Sequence, residues 1–292
     1  MRISLKFILL LLLCLLLSLP IACATQKKMT VAASAALLED IAKSAYRQTD
    51  TRVIREGMPA YLLLMDGMVE AWPNNGQLLL VAAQGYATFA SAFIEDQDKA
   101  YARTLYARAR DYAFKSLAQR GFKNPVFRPL DDFQKGLEEL GKNDVPYLFW
   151  TATCWGSWIR LNMGSMEALA ELPRVELIMK RVLALDESYY YGGPHLFMGI
   201  WYAARPKIAG GDLNLSQEHF LKAIELGEGK FLMAYVYYAD HYARKAFDKN
   251  LFASILEKAL EARADSVPEL TLLNTVAQKK AEELLNQVDE LF

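Results

Sequence analysis

At 292 residues, 53% hydrophobic and with three cysteines, the chain is long enough to bury a core of its own and carries too few thiols for a disulfide framework. Its 33 Lys and Arg almost balance its 34 Asp and Glu, for a formal net charge of −1. That balance leaves no electrostatic footprint for a nucleic-acid backbone.

In chain order, Arg2 and Lys6 precede an apolar run from Phe7 to Leu17, which ends in Ser18-Leu19-Pro20-Ile21-Ala22-Cys23-Ala24. This is the layout of a secretory signal, because a spanning anchor needs about 20 apolar residues. Residues 1–22 are read as a removed signal peptide and 23–32 as a polar tether. Cleavage before Cys23 would free its thiol for a diacylglyceryl group, holding the protein to a membrane with no spanning helix. Ala22-Cys23-Ala24 also fits an ordinary small-x-small cleavage site, and Pro20 stands where lipoprotein signals usually carry Leu.

Beyond Ala32 nearly every segment has helical spacing, and none has the alternation or β-branched enrichment of strands. The expected fold is all-α, a single domain over residues 33–292 built of stacked helical hairpins. A first helix over 33–47 breaks near Thr49-Asp50, and a second over 51–72 stops at Pro73-Asn74-Asn75-Gly76. Helices over 78–93 and 98–120 form a pair joined by Glu95-Asp96-Gln97. Residues 121–146, with Pro125, Pro129, Gly136, Gly141 and Pro146, make a long connection carrying a short helix over 131–140.

The next helix, 146–162, is apolar all round, with Trp150, Cys154 and Trp158 on one face and Leu148, Ala152, Trp155 and Ile159 on another, which places it in an interior. A short helix after Gly164-Ser165 reaches Leu172, and Pro173 fits the first turn of a helix to Leu185. Glycine-marked turns then punctuate the chain at Gly192-Gly193-Pro194 and Gly210-Gly211-Asp212, where Asp212 can cap a helix from Leu213. Three hairpins close alike, with Met179 and Val182, Phe220 and Ala223, and Leu256 and Ala259 each three residues apart. The intervals between them, 41 and 36 residues, suggest about four degenerate tetratricopeptide-like repeats, the longer interval holding an inserted 205–211 loop. Pro268 opens a closing helix to Phe292, as a solenoid end requires.

The candidate binding residues are aromatic: Trp155, Trp158, Tyr190, Tyr191, Trp201, Tyr202, Tyr235 and Tyr238. At helical spacing such residues either pack a core or line an apolar cleft in which tyrosine hydroxyls supply the few polar contacts. Gly192, Gly193, Gly210 and Gly211 either serve the backbone or lie in rim loops that touch a partner. His195, His219 and His241 are widely spaced, with no zinc-ligand pattern, and neither Gly-x-Ser-x-Gly nor a phosphate-binding glycine loop is present. No catalytic residue, metal or cofactor is expected. Cys154, on its apolar helix, reads as an inert packing residue.

Several motifs recur together along the chain. They are Asp50 with Glu56 and Pro59 before Trp72-Pro73-Asn74-Asn75; Leu105-Tyr106-Ala107-Arg108-Ala109; Trp155-Gly156; Leu183-Ala184-Leu185-Asp186-Glu187-Ser188-Tyr189; Gly210-Gly211-Asp212; His219-Phe220; and the tail Ala281 through Leu285 with Glu290-Leu291-Phe292. In this order, behind a lipoprotein-like signal, the chain resembles the TatT family, the tetratricopeptide-repeat proteins associated with tripartite ATP-independent periplasmic (TRAP) transporters. The resemblance implies a lipid-anchored periplasmic protein that forms homo-oligomers, expected to be trimers, and docks the transporter's soluble substrate-binding protein. It also implies a small apolar or organic-acid ligand held in a cleft or pore. Composition fits equally a generic scaffold lipoprotein for envelope assembly, and the motif order ranks that reading second.

Overall fold

The computed structural model describes residues 37–38 and 40–292, so the signal peptide, Cys23 and the 23–32 tether lie outside the described residues. Helix α1 covers residues 40–46, and α2 (Thr51–Ala71) starts where the Asp50 carboxylate accepts the Arg52 and Val53 amides at 3.0 and 3.1 Å. The same device opens α3 (Gly76–Phe89) through Asn75 and α4 (Lys99–Ala118) through Asp98. Each cap satisfies amides that the first helical turn leaves without a partner. Then follow α5 (Leu130–Glu138), α6 (Val145–Arg160), α7 (Met166–Ala170), α8 (Leu172–Leu185), α9 (Tyr189–Ala204), α10 (Leu213–Leu226), α11 (Met233–Tyr237), α12 (Lys249–Glu261), α13 (Thr271–Asn286) and α14 (Val288–Leu291). No strand occurs among the described residues.

Two helices loosen at their ends, α3 into a π-helical segment over Ala90–Ile94 and α11 into another over Tyr238–Ala243. The closing helix expected over 268–292 is in fact three pieces, a 3-10 turn at Pro268–Leu270, then α13 and α14. The stretch Gly76–Ile94 is apolar and long enough to cross a membrane, yet most of it is buried in the protein. Burial by neighbouring helices accounts for its composition.

The helices pack as hairpin partners: α3 with α4, α6 with α8, α9 with α10, and the α11 unit with α12. Met179 and Val182, Phe220 and Ala223, and Leu256 and Ala259 are all buried between such partners. On the outer side, the half-buried Asp66 of α2 accepts the Tyr86 hydroxyl at 2.7 Å, the Tyr112 hydroxyl at 2.6 Å and an Arg108 N–H at 2.7 Å. One carboxylate thereby pins α2 to both α3 and α4, with the charge-assisted bonds that make a part-buried acid tolerable.

The terminal helix expected at the end of the stack is present, since α13 packs on α11 and α12, and it makes a further contact at its other side. Helix α13 packs on α2. Its Lys280 donates to the Ser91 carbonyl at 3.1 Å and to Asp96, and its Lys279 donates to the Thr51 hydroxyl. The last helices thus return to the first, and the stack closes on itself.

Candidate functional site

Helix α8 ends where Asp186 turns out of helical geometry, its carboxylate accepting the Ser188 amide at 3.2 Å and hydroxyl at 2.8 Å. The chain then places three successive residues in the left-handed region: Tyr190 (φ 50°, ψ 51°), Tyr191 (φ 58°, ψ 42°) and Gly192 (φ 78°, ψ 20°). Glycine bears this freely, but each tyrosine costs roughly 1–2 kcal/mol there. Gly192 has no alternative, since a Cβ would stand 2.8 Å from the Ala223 carbonyl oxygen.

The strained turn drives the two tyrosine rings inward. Tyr190 meets Trp150 at 5.3 Å, Phe149 at 5.8 Å and Phe231 at 6.0 Å between centroids, and Tyr191 meets Phe231 at 6.2 Å. Tyr189 closes on Phe149 at 5.2 Å, and Tyr46 of α1 neighbours Tyr190. Phe149 can approach because Gly193 has no Cβ, which would lie 2.8 Å from its ring. Edge-on and tilted contacts of this kind add to the area term for each buried ring.

Two buried polar atoms on α6 lack partners. The Trp150 indole N–H and, one turn along α6, the Thr153 hydroxyl are buried without a hydrogen bond. The Tyr189 hydroxyl is near the indole, outside hydrogen-bond geometry; burial raises its pKa, and the indole N–H opposes that shift. Burial also carries the Tyr190 hydroxyl well above the ordinary tyrosine range, the neighbouring Tyr46, Tyr189 and Tyr191 adding to the shift. Unsatisfied buried donors each cost about 1–3 kcal/mol, and the Nε atoms of Arg110, Arg174 and Arg205 are in the same state.

Of the eight aromatics expected to line a cleft, only Tyr190 and Tyr191 meet here. Trp155 is fully buried, edge-on to Phe114 at 4.8 Å, and donates to Glu171 at 2.5 Å, so it packs the core. Trp158 is half-buried beneath the Arg110 guanidinium, 3.7 Å from its ring centre. Trp201 stacks on Phe197 at 5.6 Å and donates to Glu176 at 3.0 Å. Tyr238 is buried against Phe220 at 5.4 Å, its hydroxyl accepting from Gln217 at 3.1 Å. Tyr235 is half-buried, its hydroxyl beside Gly229. Tyr202 stacks on His219 at 5.5 Å and faces a separate surface groove.

The glycines divide in the same way. Gly192 and Gly193 are buried, Gly211 is buried yet borders that surface groove, and Gly210 is exposed. Phe149, Trp150 and Phe231 are the ring neighbours of Tyr190 that sequence reasoning passed over as binding candidates. Phe149 and Trp150 lay within a helix already read as apolar on every side, but that pattern does not say which face is lined by a neighbouring turn. Cys154 is buried, and burial raises its thiol far above its ordinary value, which removes the reactive thiolate. Among the described residues no group of three or more His, Cys, Asp or Glu is placed to hold a metal ion.

A family model described as TRAP transporter T-component matches residues 47–292. An uncharacterized protein of Treponema pallidum (strain Nichols) is 26% identical to the chain over 272 residues, spanning 87% of this chain and 84% of that protein.

Proposed function

The chain belongs to the TRAP transporter T-component family, and on that premise we propose that it is the periplasmic accessory protein of such a transporter. In this reading the helical body docks the transporter's soluble substrate-binding protein and holds a small, mainly apolar ligand in the aromatic cluster around Tyr190 and Tyr191. Cys23 carries the lipid that keeps the protein at a membrane, and copies of the chain associate, as a trimer. The hairpins are read as degenerate tetratricopeptide-like repeats.

The observation that carries the reading is the match across 47–292 combined with the strained turn that gathers Tyr190, Tyr191, Phe149, Trp150 and Phe231. Strain of this size persists where the surroundings over-determine it, and such places cluster at binding sites. Aromatic walls with few unpaired polar atoms suit an apolar body carrying one or two hydrogen-bonding groups.

Native mass spectrometry of the purified protein, alone and with the substrate-binding protein encoded beside it, tests the proposal. The expected result is a defined oligomer, a complex with the receptor, and a retained small molecule lost in Tyr191→Ala while the fold survives. Absence of any complex with the receptor, together with in-cell crosslinks to envelope-assembly proteins, would replace this reading with that of a generic scaffold.

A further inference from the structure

We infer that the groove between the 205–214 loop and the 240–247 turn is a second ligand site, one that takes a small organic anion with a single charged headgroup on an apolar body. It is an open groove of about 870 Å³, and Tyr202, Lys207, Leu213, Arg244, Lys245 and Phe247 are among its walls. None of the Tyr190 cluster lines it.

One wall is the loop that lengthens this hairpin. Arg205 ends α9, and the chain turns through Gly210 at φ 81°. The Gly211 amide returns to the Pro206 carbonyl at 3.1 Å and the Asp212 amide to the Tyr202 carbonyl at 3.2 Å. Asp212 then caps α10, accepting the Asn214 and Leu215 amides at 2.8 and 3.1 Å. These bonds fix the backbone of the loop at both ends, while the Lys207 side chain stays exposed.

The charges do not cancel across the groove. Arg205 is neutralised by Glu176 at 3.0 Å and Arg244 by Asp240 at 2.9 Å, while the Asp212 carboxylate is turned to the α10 amides. Burial lowers the His241 pKa, so that ring adds no charge at neutral pH. Two ammonium groups remain. Lys245 donates only to the Ala203 carbonyl, and Lys207 has no carboxylate partner among the described residues. Two cations facing one spent carboxylate favour an anion between them.

The apolar half of the ligand is specified by Phe247, 82% exposed at the rim with φ 54°, and by Leu213, 37% exposed. A left-handed backbone that keeps a phenyl ring in water is costly twice over, and a ligand that covers the ring removes one of the two costs.

The test compares octanoate with 1-octanol and octylammonium, which share one apolar chain, by isothermal titration of the purified protein. The proposal expects octanoate to bind about tenfold tighter than octanol at low salt, with the preference shrinking as salt rises. A Lys207→Gln/Lys245→Gln protein should lose that preference while binding octanol unchanged, and Phe247→Ser should weaken both. Both sets of substitutions are on the surface, and circular dichroism checks that the fold is intact.

Equal affinities for octanoate and octanol, or an unaltered preference in the lysine double variant, would overturn the proposal. So would loss of octanoate binding in Tyr191→Ala with the lysines intact, which assigns the anion to the aromatic cluster. Binding of a Glu-rich peptide with no binding of octanoate would also overturn it, making the groove a protein contact. None of these results bears on capture of the substrate-binding protein, which is read separately.

Discussion

Arg47 donates a 2.8 Å hydrogen bond to Glu269, 222 residues further along the chain. Both side chains are more than half exposed, so the pair marks where the first and last helices meet and contributes little to holding them. The contact made by Lys280 is different, since this side chain is mostly buried while it serves the Ser91 carbonyl and Asp96. Removing it takes a partner from the part-buried Ser91 carbonyl, while the exposed Asp96 keeps its solvent.

Arg47→Gln is therefore expected to change unfolding free energy by less than about 0.5 kcal/mol, and Lys280→Met to lower it by about 1–2 kcal/mol. Urea titrations of the two variants check the ranking. Equal losses would mean that burial does not decide which contact closes the stack.

Adjacent glycines in the 205–212 loop should respond very differently to alanine. At Gly210 an added Cβ meets nothing closer than 3.8 Å, so only its φ of 81° is penalised, by about 1 kcal/mol. At Gly211 the Cβ would lie 1.9 Å from the Arg205 carbonyl oxygen, a backbone atom with no room to move. Gly211→Ala is expected to cost more than about 3 kcal/mol or to dislodge the loop, and to reduce octanoate binding in the groove with it. Thermal melts of both variants decide the matter.

The His195 and His219 rings face each other with Nδ1 atoms 2.9 Å apart, an arrangement that needs a proton on one of the two and a lone pair on the other. Burial first, and the neighbouring His195 second, lower the His219 pKa from 6.5 to about 4. Between these values the unfolded chain binds a proton that the folded ring refuses, so stability falls as pH drops from about 6.5 towards 4 and is unaffected above that window. The ring is only partly buried, so solvent screening keeps the loss well below what the full shift would give. In His219→Gln the slope of melting temperature against pH should be shallower across this interval, the carboxylates contributing equally to both proteins. An unchanged slope would place the proton elsewhere.

The acid Glu95 has the opposite sign. Burial raises its pKa, yet the Arg160 hydrogen bond and charge, with the Tyr106 hydroxyl, outweigh burial and leave it lowered. Its contribution is present above the ordinary carboxylate range and is lost as pH falls through the folded value. Glu95→Gln keeps the shape but leaves Arg160 without its anion, and should cost about 2 kcal/mol at neutral pH and less in acid. Chemical unfolding at pH 7 and pH 3 makes the comparison.

Thr153→Val removes a buried hydroxyl that has no partner. The expected outcome is a gain of about 1 kcal/mol in the protein without ligand, because an apolar group of the same shape carries no desolvation debt. A loss of similar size would show that the hydroxyl is satisfied in solution, by water or by a retained ligand beside Trp150.

Much of the architecture was legible in local chemistry. Asp50, Asn75, Asp98, Ser165 and Asp212 each start a helix with their own side chain, and Pro73 and Gly76 stand where two helices are punctuated. The buried pairs Met179 with Val182 and Phe220 with Ala223 follow from a spacing of three residues on one helical face. The aromatic list was less informative, because tyrosines and tryptophans at helical spacing look alike whether they pack against a neighbour or surround a space. Trp155 and Tyr238 proved to be core; Tyr190 and Tyr191 did not lie in a regular helix at all.

What the sequence by itself determined is the all-α class, most helix starts and the inward faces, since caps, breakers and periodicity act over a few residues. Only the tertiary structure decided that Tyr190 and Tyr191 adopt left-handed backbone angles, that Phe149 and Trp150 complete their surroundings, and that α13 returns to α2. Those outcomes rest on contacts between segments far apart in the chain. Their energy is enough to override local backbone preference, and they leave no repeating pattern in the residues that make them.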